Sequence, residues 1–176
     1  MKSQAARPRP ASEAYLERAA THYLARFASS VDNFKDVLWR KVDRRGLADG
    51  VDRATAQQWI NGIADRFVAL GLLDDEAFAR ARAGSLLRRG KPRRAIRSAL
   101  LAKGVTAEVA ADAVASLSDH AADPDLDAAV AFARRKRLGP YGASGAGDDH
   151  RRKELAAFAR AGFSYQLARR VLDGGE

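Results

Sequence analysis

The segment "KGVTAEVAADAV", Lys103 to Val114, lies without gaps on "AGFSYQLARRVL", Ala161 to Leu172. Each has a glycine, a large apolar residue, a Ser or Thr, and further apolar residues four and eight positions beyond the first apolar one. Physically this is a helix stopped by glycine, a hydroxyl N-cap, and a new amphipathic helix. A second match, "FKDVLWRK" at Phe34 to Lys41 on "IRSALLAK" at Ile96 to Lys103, precedes the first in the same order. Together they constrain the chain to tandem copies of one helical unit. The fold expected is all-α: three three-helix repeats over residues 12–71, 72–118 and 124–173, behind a disordered basic arm at 1–11. Repeats stacked in a row form an elongated molecule with long faces.

The remaining periodicity agrees. Nothing alternates at period two for long and β-branched residues are sparse, which argues against strands. Nine helices are expected. The first, after Ser12, carries Tyr15, Leu16, Ala19, Tyr23 and Phe27. The second, from about Asp32, carries Phe34, Val37, Leu38 and Val42. The third, after Thr55, carries Trp59, Ile60, Ile63, Phe67 and Leu70 and ends at Gly71. A fourth runs from Asp74 to Arg89, where Gly90 stops it. Pro92, suited to a first helical turn, opens a fifth that ends at Gly104, and Thr106 caps a sixth. Asp123-Pro124 starts a seventh, Asp149 an eighth that Gly162 closes, and Ser164 a ninth.

Chemistry that would make an enzyme is hard to assemble from these residues. Of the three histidines, His22, His120 and His150, none has a second histidine three or four positions on, so no metal and no cofactor are expected. With no cysteine there is no thiol chemistry or disulfide. No phosphate-cradling loop or nucleophile elbow occurs; "GASGAG" at Gly142 to Gly147 has the composition of a linker, and Asp148 to His150 sit where acids cap a helix. No stretch nears the roughly 18 apolar residues of a membrane span, and a cytoplasmic, monomeric, non-enzymatic protein is expected.

Charge carries the functional signal. Thirty-one Lys and Arg face twenty-two Asp and Glu, net +9, a balance that suits a polyanion or an acidic protein surface. The densest cluster holds Arg80, Arg82, Arg88, Arg89, Lys91, Arg93, Arg94, Arg97 and Lys103, with no acid between Glu76 and Glu108. The helix dipole explains Arg88 and Arg89 at a helix C-terminus. It disfavours cations in a first turn by a few tenths to about 1 kcal/mol each, so Lys91, Arg93 and Arg94 stand against local preference. Cations beside helix N-terminal N–H groups can hold phosphate or carboxylate. A second cluster, Arg134, Arg135, Lys136 and Arg137, agrees with its dipole; a third, Arg151, Arg152 and Lys153, does not. Trp39 and Trp59 fall on apolar stripes, where core packing outweighs base stacking.

Gly71 to Val105, "GLLDDEAFARARAGSLLRRGKPRRAIRSALLAKGV", resembles the central motif of RecX, the bacterial regulator of the RecA recombinase. The motif residues are Gly71-Leu72-Leu73-Asp74-Asp75, Phe78-Ala79, Arg89-Gly90, Pro92-Arg93-Arg94, Ile96, Leu100 and Lys103-Gly104-Val105; Gly162-Phe163-Ser164 resembles the family's closing segment. About half the chain is covered. The first unit, with a long loop expected at Val42 to Gln58, and the Gly-rich insert at Gly139 to Gly147 depart from the pattern. The resemblance implies a curved row of three three-helix repeats that binds RecA filaments on single-stranded DNA and inhibits recombination, ATP hydrolysis and coprotease action in the SOS response. It also implies some binding to single- and double-stranded DNA. The residues alone leave open a second reading, a helical module that binds DNA without regard to sequence.

Overall fold

The computed structural model describes residues 9–119, 123–142 and 147–174. Eight residues of the expected N-terminal arm, together with His120 and positions 143–146 of the Gly-rich insert, lie outside them. Among the described residues the chain is helical, with nine α-helices, two single 3₁₀ turns, and one isolated bridge between Ala11 and Leu47. The described residues form two compact units divided between Phe78 and Ala79.

In the first unit, α1 (Glu13–Leu24), α2 (Val31–Arg45) and α3 (Arg53–Ala69) pack on one another. Leu16, Phe34, Leu38, Val42, Ile60, Ile63 and Phe67 fill the core, with Leu73 beneath them. Phe34 and Phe67 rings lie 5.7 Å apart, Tyr23 and Phe34 rings 6.5 Å apart. The sequence overran the core at two helix ends. Helix α1 stops at Leu24, leaving Phe27 beyond it and half exposed against Tyr23. Leu70, the expected last member of the α3 stripe, is the C-cap residue and exposed. The long loop expected at Val42 to Gln58 is short: α2 continues to Arg45 and α3 starts at Arg53. Ala11 is buried, and its N–H donates to Gly46 O at 2.8 Å.

Local caps set most helix starts. Side-chain oxygens of Ser12, Ser30, Asp52, Thr106, Asp123 and Ser164 each accept from an N–H three residues on, satisfying one of the orphan donors of a first turn. Asp74 does the same for Ala77 N–H at 2.9 Å. The Thr55 N–H and hydroxyl hold the Asp52 carboxyl below its ordinary range. The lowered pKa means that the cap contributes fully above the ordinary carboxylate pKa and that its contribution is lost as pH falls from there through the depressed folded-state pKa.

Helix α4 (Asp75–Arg88) begins in the first unit and continues into the second. There α5 (Arg93–Leu101) packs on α6 (Ala107–Ala115), and α9 (Tyr165–Leu172) packs on α7 (Pro124–Lys136) and α8 (Asp148–Ala161). Phe132, Phe158 and Phe163 form a three-ring cluster with centroids 5.0–5.5 Å apart. Buried Glu154 on α8 accepts the Gly139 N–H at 2.6 Å, with His150 Nε2 at 3.4 Å and Arg151 Nη1 at 4.0 Å. A buried carboxylate needs such partners.

Two caps come from far along the chain. Asp75, in the first turn of α4, accepts the N–H of Val31, the first residue of α2, at 2.8 Å. Asp125, in the first turn of α7, accepts the N–H of Arg93, the first residue of α5, at 2.8 Å and its Nε at 3.0 Å. The two contacts are equivalent: the opening helix of one helical trio supplies an acid to the middle helix of the trio before.

Candidate partner interface

The second unit brings together cations that are far apart in sequence. Helix α4 ends at Arg88, and Gly90 turns the chain with φ +67° into α5. Gly90 is buried, its backbone pressed on α7 beside Phe132 N and Ala128 O. The Arg135 guanidinium donates to the carbonyl of Arg89. Thus the Arg88–Lys91 turn and the Arg134–Arg137 run, expected as two clusters, share one region. Both sit at helix C-termini, where cations are favoured, yet their number exceeds what two dipoles need.

The sequence-expected residues differ in how far they are already engaged. Arg93 is held by Asp125 through backbone and side chain, so its place in the first turn of α5 has a structural reason that no local pattern revealed. Arg151 pairs with Asp173 and lies beside Glu154, which likewise explains a cation at the start of α8. Arg135 caps α4 at Arg89, and Arg134 lies over the Tyr141 ring at 5.1 Å. Arg82 and Lys103 are half-buried. Arg88, Arg89, Lys91, Arg94, Arg97, Lys136, Arg137 and Arg152 are exposed, and among the described residues none of their side chains is in an ion pair.

Arg94 stands at the lip of a cleft of about 260 Å³ lined by Pro92, Asp125, Gly162, Phe163, Ser164 and Leu167. The motif residues Ile96, Phe78 and Phe163 are buried, and Gly104 and Gly162 close α5 and α8 at φ +75° and +96°. Their role is the scaffold. Trp39 is pinned, its Nε1 donating to Gln57 Oε1 at 3.2 Å and the Arg53 guanidinium lying 4.3 Å from its ring centre; Trp59 packs against the first-unit core. Among the described residues no group of three or more His, Asp or Glu is placed to hold a metal, and no helix is long and apolar enough to cross a membrane.

Sequence reasoning missed Asp75, Asp125 and Glu154 as partners of distant groups. Acids in the opening turn of the first helix of a trio were the available signal, but helix dipoles alone account for such acids.

A protein of Myxococcus xanthus, "Regulatory protein RecX", is 43% identical to this chain over 168 residues, covering 95% of the chain and 89% of that protein. The chain belongs to the RecX family. A RecX regulatory protein of Agrobacterium fabrum is 29% identical over 171 residues, covering 97% of the chain and 88% of its own length. Residues 74–114 match the family model for RecX, second three-helix domain. The fold is similar to the crystal structure of RecX from Lactobacillus salivarius, with a TM-score of 0.62 at 18% identity over 92% of this chain and 95% of that one. It is also similar to a second crystal structure of regulatory protein RecX, with a TM-score of 0.64 at 17% identity over 92% and 71%. The residues that match the RecX motif divide between scaffold and surface. Asp74, Asp75, Phe78, Gly90, Ile96, Gly104, Gly162 and Phe163 shape the helices and turns, while Arg89 and Arg94 are exposed, as are Lys91 and Arg97 beside them.

Proposed function

We propose that this RecX protein binds the RecA filament on single-stranded DNA and inhibits its recombinase, ATPase and coprotease activities. It acts in the cytoplasm, by contact and not by catalysis. The observation that carries this reading is the 43% identity to a named RecX regulatory protein along nearly the whole chain. The exposed cations of the α4–α5 turn, with the Arg134–Arg137 run drawn beside them, support a surface that meets an acidic partner. The match of residues 74–114 to a second three-helix domain supports three repeats at 12–71, 72–118 and 124–173.

The exposed cations also suit a second reading, binding to DNA phosphates regardless of sequence. Titrating the protein into RecA turning over ATP on single-stranded DNA separates the two. The expected result is a fall in ATP hydrolysis at substoichiometric protein, with filament bound in preference to naked DNA. Unchanged hydrolysis, together with equal affinity for naked DNA that drops steeply with salt, would replace the regulator by the DNA-binding module.

A further inference from the structure

Carried back along the middle helices without a gap, the repeat alignment sets Phe34 of α2 and Ile96 of α5 against Glu154 of α8, and Leu38 and Leu100 against Phe158. All six side chains are buried. Five are apolar, so α8 places a carboxylate where its two counterparts place core. Burying that charge is unfavourable unless its neighbours compensate, and an apolar residue would serve the fold, as Phe34 and Ile96 do. A packing rule kept in two repeats and broken in the third marks a side chain with a further task.

The task is visible in what Glu154 holds. Its Oε1 accepts the Gly139 N–H at 2.6 Å. Gly139 opens a single 3₁₀ turn, Gly139–Tyr141, directly after α7. That turn is folded onto the end of α7, where the Arg134–Arg137 run sits. Arg137 takes the left-handed conformation at φ +53°, and the Leu138 N–H returns to Ala133 O at 3.0 Å. Gly142 lies so close to the Arg137 carbonyl that a Cβ there would overlap its oxygen. The Arg134 guanidinium lies 5.1 Å from the centre of the Tyr141 ring. Gly139 also rests on α9, where a Cβ would meet Leu172 Cδ2 at 2.9 Å. Turn and cation run therefore form one piece, and Glu154 is its hydrogen-bonded anchor on α8.

We infer that Glu154 is a positioning residue for the Arg134–Arg137 run, fixing the turn that pre-orders these cations for the partner. The inference rests on the RecA-filament reading above and adds the group that sets the geometry of that surface. A guanidinium binds carboxylate or phosphate through a planar fork, so its direction matters as well as its charge. Holding Arg134 on Tyr141, and fixing where Arg137 leaves the backbone, reduces what must be ordered on binding. Removing the carboxylate strands no buried cation: Arg151 keeps Asp173, and His150 is 46% exposed.

The test uses the full chain with three substitutions. Glu154→Ile installs the residue of the second trio. Glu154→Gln keeps an oxygen for the Gly139 N–H without the charge. Phe158→Leu weakens the same core one helical turn away, where the ring packs on Phe132 and Phe163. Glu154→Ile should keep its helical content and melt at or above the parent's temperature, as apolar replacement of a buried charge often does. Its Gly139, Tyr141 and Gly142 amides should nevertheless exchange faster. It should bind RecA–single-stranded-DNA filaments about threefold to tenfold more weakly, the scale of leaving one long side chain unordered. Glu154→Gln should bind as the parent does. Phe158→Leu should melt lower and, below its melting temperature, bind filaments as the parent does. Parental filament binding by Glu154→Ile overturns the inference and leaves the regulatory reading intact. So does Glu154→Gln binding as weakly as Glu154→Ile, or an equal loss in Phe158→Leu, because charge or general stability would then be the cause. A parent protein that fails to bind filaments removes both readings.

Discussion

Replacing Gly90 by alanine should destabilise the second unit by about 3 kcal/mol. Two costs add. The backbone sits at φ +67°, which charges an L side chain roughly 1–2 kcal/mol. A Cβ built there would also stand 2.7 Å from Phe132 N and 2.8 Å from Ala128 O. Those are backbone atoms of α7, so no rotamer change relieves the overlap; the turn or the helix must shift, at about 1–3 kcal/mol. Gly84, inside α4, is the control. Its added Cβ would come within 3.3 Å of the Arg88 Nη1 alone, the far end of a flexible side chain. Gly84→Ala should therefore stabilise by roughly 0.5–1 kcal/mol through helix propensity. Urea unfolding monitored by circular dichroism reads both. A Gly90→Ala midpoint matching the parent's would mean that the α4–α5 turn is not seated on α7 as described. Because the turn also carries Arg88, Arg89 and Lys91, the same substitution should disturb the proposed interface through geometry while every charge remains.

The second large effect is expected at Asp125. Its carboxylate accepts from Arg93 N–H at 2.8 Å and from Arg93 Nε at 3.0 Å. Asp125→Ala should cost about 2 kcal/mol: an N-cap is typically worth about 1 kcal/mol, and leaving a first-turn donor beside a cation without its acceptor adds to that. The ion pair itself contributes little, since Arg93 is 42% and Asp125 28% exposed. Asp125→Asn, which retains an acceptor oxygen but no charge, should lose only part of the stability. Hydrogen exchange at the first-turn amides of α5 should speed up in the alanine variant, with distant amides of α1 to α3 unaffected. Equal losses for the two variants, or none in either, would show that the cap contributes nothing. The experiment also isolates Arg93 from its neighbour. Arg94→Glu alters an exposed cation at the cleft lip, whereas Arg93→Glu would set two carboxylates face to face and injure the fold before any partner is met.

What could be read from the chain follows the range of the forces involved. Caps act over three residues and helical stripes over four, so Ser12, Thr106, Asp123 and Ser164 marked helix starts, and Gly90 and Gly162 marked stops, within a residue or so of the observed bounds, while α5 ends at Leu101, three residues before Gly104. Phe27 and Leu70 were misplaced because periodicity continues past a helix end while burial depends on what packs there. In the candidate interface, local sequence could identify which cations oppose their own helix dipole. It could not show that Asp125, thirty-two residues on, answers Arg93, or that Arg135 reaches Arg89 across forty-six. Those pairings arise only from packing. The exposed residues left after them, Lys91 and Arg94 foremost, are the part of the original pattern whose side chains are in no ion pair among the described residues. Arg137 was legible as a cation suited to its helix end, but its left-handed backbone was not.

The long-range caps also bear on how the chain matures as it leaves the ribosome. Helix α2 has its own Ser30 for the Asn33 N–H, but the Val31 N–H waits for Asp75, forty-four residues later. Helix α5 has no side-chain cap from Pro92 and depends on Asp125, thirty-two residues behind it. Each middle helix is therefore completed by the first turn of the next trio to emerge. Synthesis halted at Leu70 would release a three-helix bundle with all of its helices but with the start of α2 still open to water, and each further trio would finish its predecessor as it appears.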